Sequence, residues 1–388
     1  MFYWFTPAQN GGQDSPLLVW LQGGPGSPGE LGLFFEVGPY YLAENLSLQP
    51  RAVGNWNQQF NVLFLDQPLG TGYSTAGSDS AYATNQDDVA TDLYVFLQRW
   101  LDKFDQFASA PLFLTGESYA GHYIPAFAHK ILQENAADAS TGHRHLNLQG
   151  VAIGDGLTDP CSQVEAGPRA AFDFGIISPK VFAKAKAAAL SATAACAASN
   201  WTAAHDAREV METMVLDAAG INKYDVRTFD SYDYMSERMA LFLNQVGTKK
   251  LLGVPQDISF GTDPQVSEKL YNDVMQSQAG KFPELLENIR VLLYQGQFDW
   301  KDGPFSNEKW LERIDWSGRA GYLAAERTRW ATKMLNGQLD TSGWVQSYGP
   351  LSEVVINAAG HLAPMDQPER LYAMITAFVL NEPLLSAP

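Results

Sequence analysis

Six short, almost unbroken apolar runs recur along the chain, and each ends in Gly, Asp or Leu: PLLVWL (16–21), NVLFLD (61–66), PLFLTG (111–116), GVAIGDG (150–156), RVLLYQG (290–296) and EVVINAAG (353–360). Runs of this length without polar alternation predict strands buried on both faces, as in a parallel sheet. Between them the period changes. NQDDVATDLYVFLQRWLDKF (85–104) carries apolar positions near 3.6 spacing and acids in its first turn, which predicts an amphipathic helix. YIPAFAHKILQEN (123–135) and PERLYAMITAFVL (368–380) read the same way. Strands alternating with helices predict an α/β class with a mostly parallel central sheet and helices on both faces. The opening MFYWF reads as part of a strand. It has no basic leader and is too short for a signal peptide, so a missing or trimmed N-terminus is expected.

The middle of the chain breaks the alternation. From Pro160 to about Ser236 no strand pattern is visible and alanine dominates, as in KAKAAALSATAACAAS (184–199). A helical cap inserted into the core is expected, dividing the chain into 1–159, the cap 160–236, and 237–388.

Composition narrows the function. The 388 residues are 46% hydrophobic, ample for a large core, and carry a net charge of −17. Such a surface repels nucleic acid and anionic membranes. No run of 18 apolar residues is present to span a bilayer. The two cysteines, Cys161 and Cys196, form no metal-binding pattern, so no metal site is expected. Whether they pair is open from sequence. The sequons at Asn45 and Asn200 hint at a glycoprotein.

Gly24-Pro25-Gly26-Ser27-Pro28-Gly29 follows the first run and formally matches a dinucleotide-binding turn. Pro25 and Pro28 lack the N–H groups a pyrophosphate would need. An oxyanion hole is the alternative, with glycines letting backbone amides approach a reacting carbonyl. Gly116-Glu117-Ser118-Tyr119-Ala120-Gly121 approximates the nucleophile elbow G-x-S-x-G, in which a sharp strand-to-helix turn lifts the serine hydroxyl off the sheet. A serine needs a base. Of six histidines, His122 and His129 follow on the same helix, His143 and His145 lie in a polar loop, and His205 is in the Ala-rich segment. His361 alone follows a strand and a glycine near the C-terminus. For the orienting acid, Asp299 and Asp155 both sit at strand ends. The order Ser, Asp, His favours Asp299.

Taken together, VWLQGGPGSPGELGLFFEVGPY, NVLFLDQPLGTGYS, LFLTGESYAGHYIPAFAHKI, GVAIGDGLTDP, LLYQGQFDW and GHLAPMDQPERL resemble the serine carboxypeptidases, most of all the vitellogenic-like branch. The resemblance implies an α/β-hydrolase fold with a helical cap and removal of single residues from peptide C-termini without a cofactor. It implies a triad of Ser118, Asp299 and His361, with Gly24 and Tyr119 supplying the oxyanion-hole amides. It also implies Trp20, Gln22, Glu36 and Glu117 as the site for the substrate's terminal carboxylate. Glu36 and Glu117, forced together, would share a proton and favour peptide cleavage at acidic pH. A location in the secretory pathway, in a lysosome or vacuole or outside the cell, is expected with it. Three departures are visible. Gln22 stands where the family usually has asparagine, though the vitellogenic-like branch also has glutamine. Ser27 and Pro28 occupy the neighbourhood of a usual cysteine, so a disulfide bracing that loop is expected to be absent. The family's first strands precede the start of this chain. An acyltransferase on the same scaffold, or an inactive binding protein, are the competing readings.

Overall fold

The computed structural model describes residues 1–137 and 142–386. Its centre is a ten-stranded sheet, whose strands are numbered here in chain order: β1 Tyr3–Thr6, β2 Leu17–Leu21, β3 Asn61–Leu65, β4 Leu112–Glu117, β5 Leu148–Gly154, β6 Arg290–Gly296, β7 Thr328–Lys333, β8 Leu339–Tyr348, β9 Leu351–Ile356 and β10 Leu385–Ser386. They lie in the order β1-β3-β2-β4-β5-β6-β9-β8-β7-β10. The six apolar runs are the six central strands, and they are mutually parallel. Alternate residues feed opposite cores. Val19, Leu114, Val151 and Leu293 join one apolar cluster, while Trp20, Phe113, Ala152 and Leu292 join the other. Burial on both faces is why these strands lack the polar alternation of a half-exposed sheet.

MFYWF forms β1, which pairs antiparallel with β3 at one edge. At the other edge, β7 and β8 form a hairpin that the apolar-run pattern does not show. It turns at Asn336-Gly337, where Gly337 has φ +84°. Its strands are half-exposed and rich in Thr, Ser and Gln, so no continuous apolar run marks them.

The three predicted helices are Gln86–Lys103, Ala120–Ala136 and Pro368–Leu380. The first starts where Asn85 Oδ1 accepts the Asp88 N–H at 3.0 Å, with Asp87 and Asp88 facing the positive end of the helix dipole.

Between β5 and β6 the regular elements of the described chain are all helices, joined by loops such as 220–232 and 253–264. Two 19-residue helices, Pro179–Ala197 and Trp201–Ala219, are capped by Ser178 and Asn200. They meet through Ala185, Ala189, Ala192, Met211 and Val215, a small third core separate from the sheet's two. Small alanine side chains on one face let the helix axes approach closely, which explains the composition. Further helices, among them Asp233–Leu243, Val246–Leu252, Gln265–Leu270 and Phe282–Asn288, carry this layer past residue 236 and back to β6. Cys161 and Cys196 form a disulfide tying the start of the segment to the end of its first long helix. A closed loop of this length stabilises by roughly 3–4 kcal/mol through loss of unfolded-state freedom.

Candidate active site

Ser118 directly follows β4 with φ +62°, a left-handed conformation that L-residues adopt only under constraint. The constraint is a set of three backbone bonds. The Ser118 N–H donates to the Gly154 carbonyl, and the Ser118 carbonyl accepts from the Gly121 and Leu157 amides, each at 2.9 Å. Only small neighbours fit this turn. A Cβ on Gly116 would lie 2.1 Å from the Leu21 carbonyl oxygen, and one on Gly121 would lie 2.6 Å from that of Leu157.

The glycine loop after β2 presses on the same point. A Cβ on Gly23 would lie 2.5 Å from the Tyr119 nitrogen and 2.7 Å from Ser118 Cβ. The amides of Gly24 and Tyr119 donate to no protein acceptor among the described residues, which leaves both available to a ligand. No cysteine braces the loop, since both are used in the cap. Instead the Thr262 hydroxyl donates to the Gly26 carbonyl at 2.5 Å, and Asp66 Oδ1 accepts the Gly29 N–H at 3.1 Å.

His361 is buried, and its Nδ1 lies 2.8 Å from Asp299 Oδ2. Asp299 also accepts the backbone N–H groups of Lys301 at 2.7 Å and Asp302 at 3.1 Å. The imidazole is therefore oriented from behind by an acid that is itself held in place. Its Nε2 is buried and has no hydrogen-bond partner. Ser118 and His361 are not hydrogen-bonded to each other in this structure, so the third contact of the constellation stands open. The segment between β5 and β6 packs on the ring: the His361 N–H donates to the Tyr224 carbonyl at 2.7 Å, and the two rings lie 4.9 Å apart. Asp155, the rival acid, does not take Asp299's place. Its Oδ1 accepts the Gly296 N–H at 2.8 Å, while one oxygen of each acid and a ring nitrogen of His361 lie within 4.8 Å of one another. Burial first, then the charge of Asp299, holds the Asp155 carboxyl well above the usual carboxylate range.

The four residues assigned to the carboxylate site are all buried and contiguous. The Trp20 indole N–H donates to Gln22 Oε1 at 2.9 Å, and Gln22 Nε2 donates to Glu117 Oε1 at 2.7 Å. Glu36 comes from a short π-helical turn, Gly32–Glu36, closed by the Val37 N–H on the Gly32 carbonyl. Gly32 is needed because a Cβ there would meet the Trp20 indole nitrogen at 2.1 Å. Glu36 and Glu117 face each other. Burial pushes the Glu36 carboxyl up to about 7, against the lowering pull of its hydrogen bond with Glu117 and the charges of His361 and Arg51. Glu117 is raised well above its usual range, by burial and then by Glu36. Neither Glu36 oxygen, nor Glu117 Oε2, has a donor from the protein.

A cleft of about 360 Å³ opens at Ser118, lined by Gly24 and Tyr119 and by charged side chains that include Arg208, Glu212, Lys223 and Lys301. A larger cavity, about 450 Å³, lies between the Pro368–Leu380 helix and β7 and touches none of these groups. Sequence reasoning missed Tyr224 over the imidazole and the charged cap side chains of the cleft, because nothing in their local pattern links them to a serine a hundred residues away.

A parallel sheet with a strained serine at a strand-to-helix turn, and an acid-held histidine at the end of a later strand, defines an α/β-hydrolase. Comparison with known proteins gives the family. The serine carboxypeptidase family model matches residues 1–381, and the chain belongs to that family. It is 36% identical over 390 residues to a probable serine carboxypeptidase CPVL of Dictyostelium discoideum, spanning 99% of this chain and 76% of that one. It is likewise 36% identical over 388 residues to serine carboxypeptidase-like 50 of Arabidopsis thaliana, spanning 99% and 85%. Its fold matches the crystal structure of Kex1(delta)p, a prohormone-processing carboxypeptidase from Saccharomyces cerevisiae. There the TM-score is 0.87 and the identity 24%, across 98% of this chain and 86% of that one. The protein is thus a serine-type carboxypeptidase. No helix among the described residues is long and apolar enough to cross a membrane.

Proposed function

We propose that the chain releases single C-terminal residues from peptides through an acyl-enzyme on Ser118, preferentially at acidic pH. Its setting is the secretory pathway: a lysosome, a vacuole or the extracellular space. The 160–236 segment acts as the cap over the reaction cleft. One observation carries the exopeptidase reading: the buried chain Trp20–Gln22–Glu117 ends on the residue next to Ser118 and faces Glu36. Two carboxyls in such contact keep one proton between them at acidic pH. That proton, with the second N–H of the Gln22 amide that Trp20 orients, can hold a substrate's terminal carboxylate. With both acids ionised the site repels it.

A peptide seated there presents its last carbonyl to Ser118. His361 Nε2 takes the hydroxyl proton as Oγ attacks, which requires the open Ser118–His361 contact to close on substrate binding. The Gly24 and Tyr119 amides receive the oxyanion. The imidazolium, steadied by Asp299, gives its proton to the departing amine and the C–N bond breaks. Water, deprotonated by His361, then splits the ester and returns the proton to Ser118.

The test is release of C-terminal amino acids from N-blocked dipeptides, alongside the same peptides as C-terminal amides, from pH 4 to 8. Free-acid peptides should lose kcat/KM by about tenfold per pH unit above roughly 7, as a single essential proton leaves. The amides should show no such fall. Equal pH profiles for the two series would remove the acid pair from substrate binding. Labelling by a fluorophosphonate, abolished in Ser118→Ala, checks the nucleophile.

A further inference from the structure

The cleft at Ser118 contains none of Trp20, Gln22, Glu36 or Glu117. A peptide whose terminal carboxylate sits at the acid pair must therefore lead the other half of its chain, across the scissile carbonyl, into this cleft. The side chain that enters it belongs to the penultimate residue, the one acylating the serine.

The floor of the cleft is charged, and its charges do not cancel. Arg208 Nε lies 3.0 Å from Glu212 Oε1, and Arg208 Nη2 lies 4.0 Å from Asp302 Oδ1. Lys301 Nζ, two residues beyond Asp299, lies 3.8 Å from the other Glu212 oxygen. Those cations are paired with the half-buried Glu212 and the buried Asp302. Lys223 is not: among the described residues it forms no ion pair, and its ammonium stands 5.1 Å from the Tyr224 ring centroid. The Lys301 ammonium approaches the same ring at 5.9 Å. Two ammonium groups thus share one aromatic ring, the ring packed on His361. The repulsion is only partly relieved within the protein: the nearby Lys301 charge, then burial, lowers the Lys223 ammonium to about 8, against the raising pull of the Glu212 charge that Arg208 and Lys301 already share. Below that it remains cationic. The acids at the rim, Glu209 and Glu268, are exposed and their charges are screened by water. Three cations, Arg208, Lys223 and Lys301, thus face two inner acids, Glu212 and Asp302, and Lys223 is the one with no carboxylate of its own.

We propose that Lys223, supported by Lys301, is a specificity determinant that binds an acidic side chain, Glu or Asp, on the penultimate residue of the substrate. The proposal rests on the exopeptidase reading above. A half-buried ammonium and an ionised carboxylate form a charge-assisted bond that an isosteric amide makes only weakly.

The experiment compares two N-blocked dipeptides differing in one group, Glu-Phe and Gln-Phe, at pH 6 and low ionic strength. Wild type should favour Glu-Phe in kcat/KM by about tenfold, with the ratio shrinking as salt is added. Lys223→Met should bring the ratio near one, and Lys223→Arg should keep it above one. Fluorophosphonate labelling of Ser118 confirms that each variant is folded around its site, and the salt dependence of wild type needs no variant at all. A wild-type ratio at or below one, or a Lys223→Met ratio equal to wild type, overturns the assignment. If Gln-Phe is cleaved as fast as Glu-Phe, only the specificity fails. If neither peptide is cleaved and Ser118 takes no label, the exopeptidase reading fails and the specificity with it.

Discussion

Two buried carboxyl pairs begin six residues apart in the chain, at Glu30 and Glu36, and they are built differently. Glu30 faces Asp66. The Trp4 indole donates to Glu30 Oε1 at 2.8 Å, while Asp66 accepts the Gly29 N–H on one oxygen and the Tyr73 N–H on the other. Only Glu30 Oε2 lacks a protein donor, and one shared proton satisfies it. Glu36 faces Glu117, and there three of four oxygens lack a donor. One shared proton can serve two of them at most. Buried polar atoms without partners are costly, so they persist where something else completes them. The first pair is closed on itself and braces the glycine loop through Gly29. The second is incomplete without a ligand. Burial and contact between acids are common to both, and it is the count of protein donors that separates a structural pair from a binding one.

The largest expected effect is on stability as pH rises. The carboxyls of both pairs are raised above their unfolded values, chiefly by burial. A raised carboxyl binds its proton more tightly when folded, so its contribution is full below the unfolded value and is lost as pH climbs through the folded one. For Glu36 that window runs from 4.5 to about 7, and a shift of that size is worth about 3 kcal/mol. Urea unfolding from pH 4.5 to 7.5 should show a falling midpoint, and Glu36→Gln should flatten it. A midpoint that rises over this range would contradict the protonated pairs.

A smaller effect tests the difference in donors directly. Asp66→Asn turns one acceptor into an N–H₂ group aimed at a buried backbone N–H, which should cost about 1–3 kcal/mol. Glu36→Gln loses no accepted bond, since neither oxygen accepts one from the protein, and should cost less than about 1 kcal/mol at pH 5. Equal losses in denaturant unfolding would mean that the two pairs are alike after all.

How much of this could be read beforehand follows the same physics. The six central strands were legible because burial on both faces writes an unbroken apolar run. The β7–β8 hairpin was not, because half-exposed edge strands admit Thr and Gln; the Asn336-Gly337 turn was the signal available for it. Ser118 and His361 were legible from glycines that the turn and the loop demand. Choosing Asp299 over Asp155 needed chain order, since both end a strand. Glu36 was legible only through the family resemblance, and it is fully buried because Gly32 lets the Trp20 indole pack against its π-helical turn. Lys223 and Tyr224 carry no local mark. They reach the site only because the segment between β5 and β6 packs against the loop after β9.

The smallest effect concerns the third acid pair, Asp155 with Asp299, which lies between the two extremes. Asp155 gives one oxygen to the Gly296 N–H, and the other has no partner in the protein. Its carboxyl is raised well above the usual range, by burial first and then by the neighbouring Asp299 charge, so it keeps its proton. A protonated Asp155 can donate to Asp299, and an asparagine amide can do the same from the same place while its carbonyl accepts the Gly296 N–H. Asp155→Asn should therefore change kcat/KM by less than about threefold, under roughly 0.7 kcal/mol, with its pH profile unmoved. Asp155→Leu removes both contacts and strands a buried N–H, so it should lower kcat by about tenfold while KM holds. If instead the asparagine variant is as slow as the leucine one, a second negative charge behind the imidazole is what matters. The pair would then resemble neither the closed Glu30–Asp66 contact nor the ligand-completed Glu36–Glu117 one.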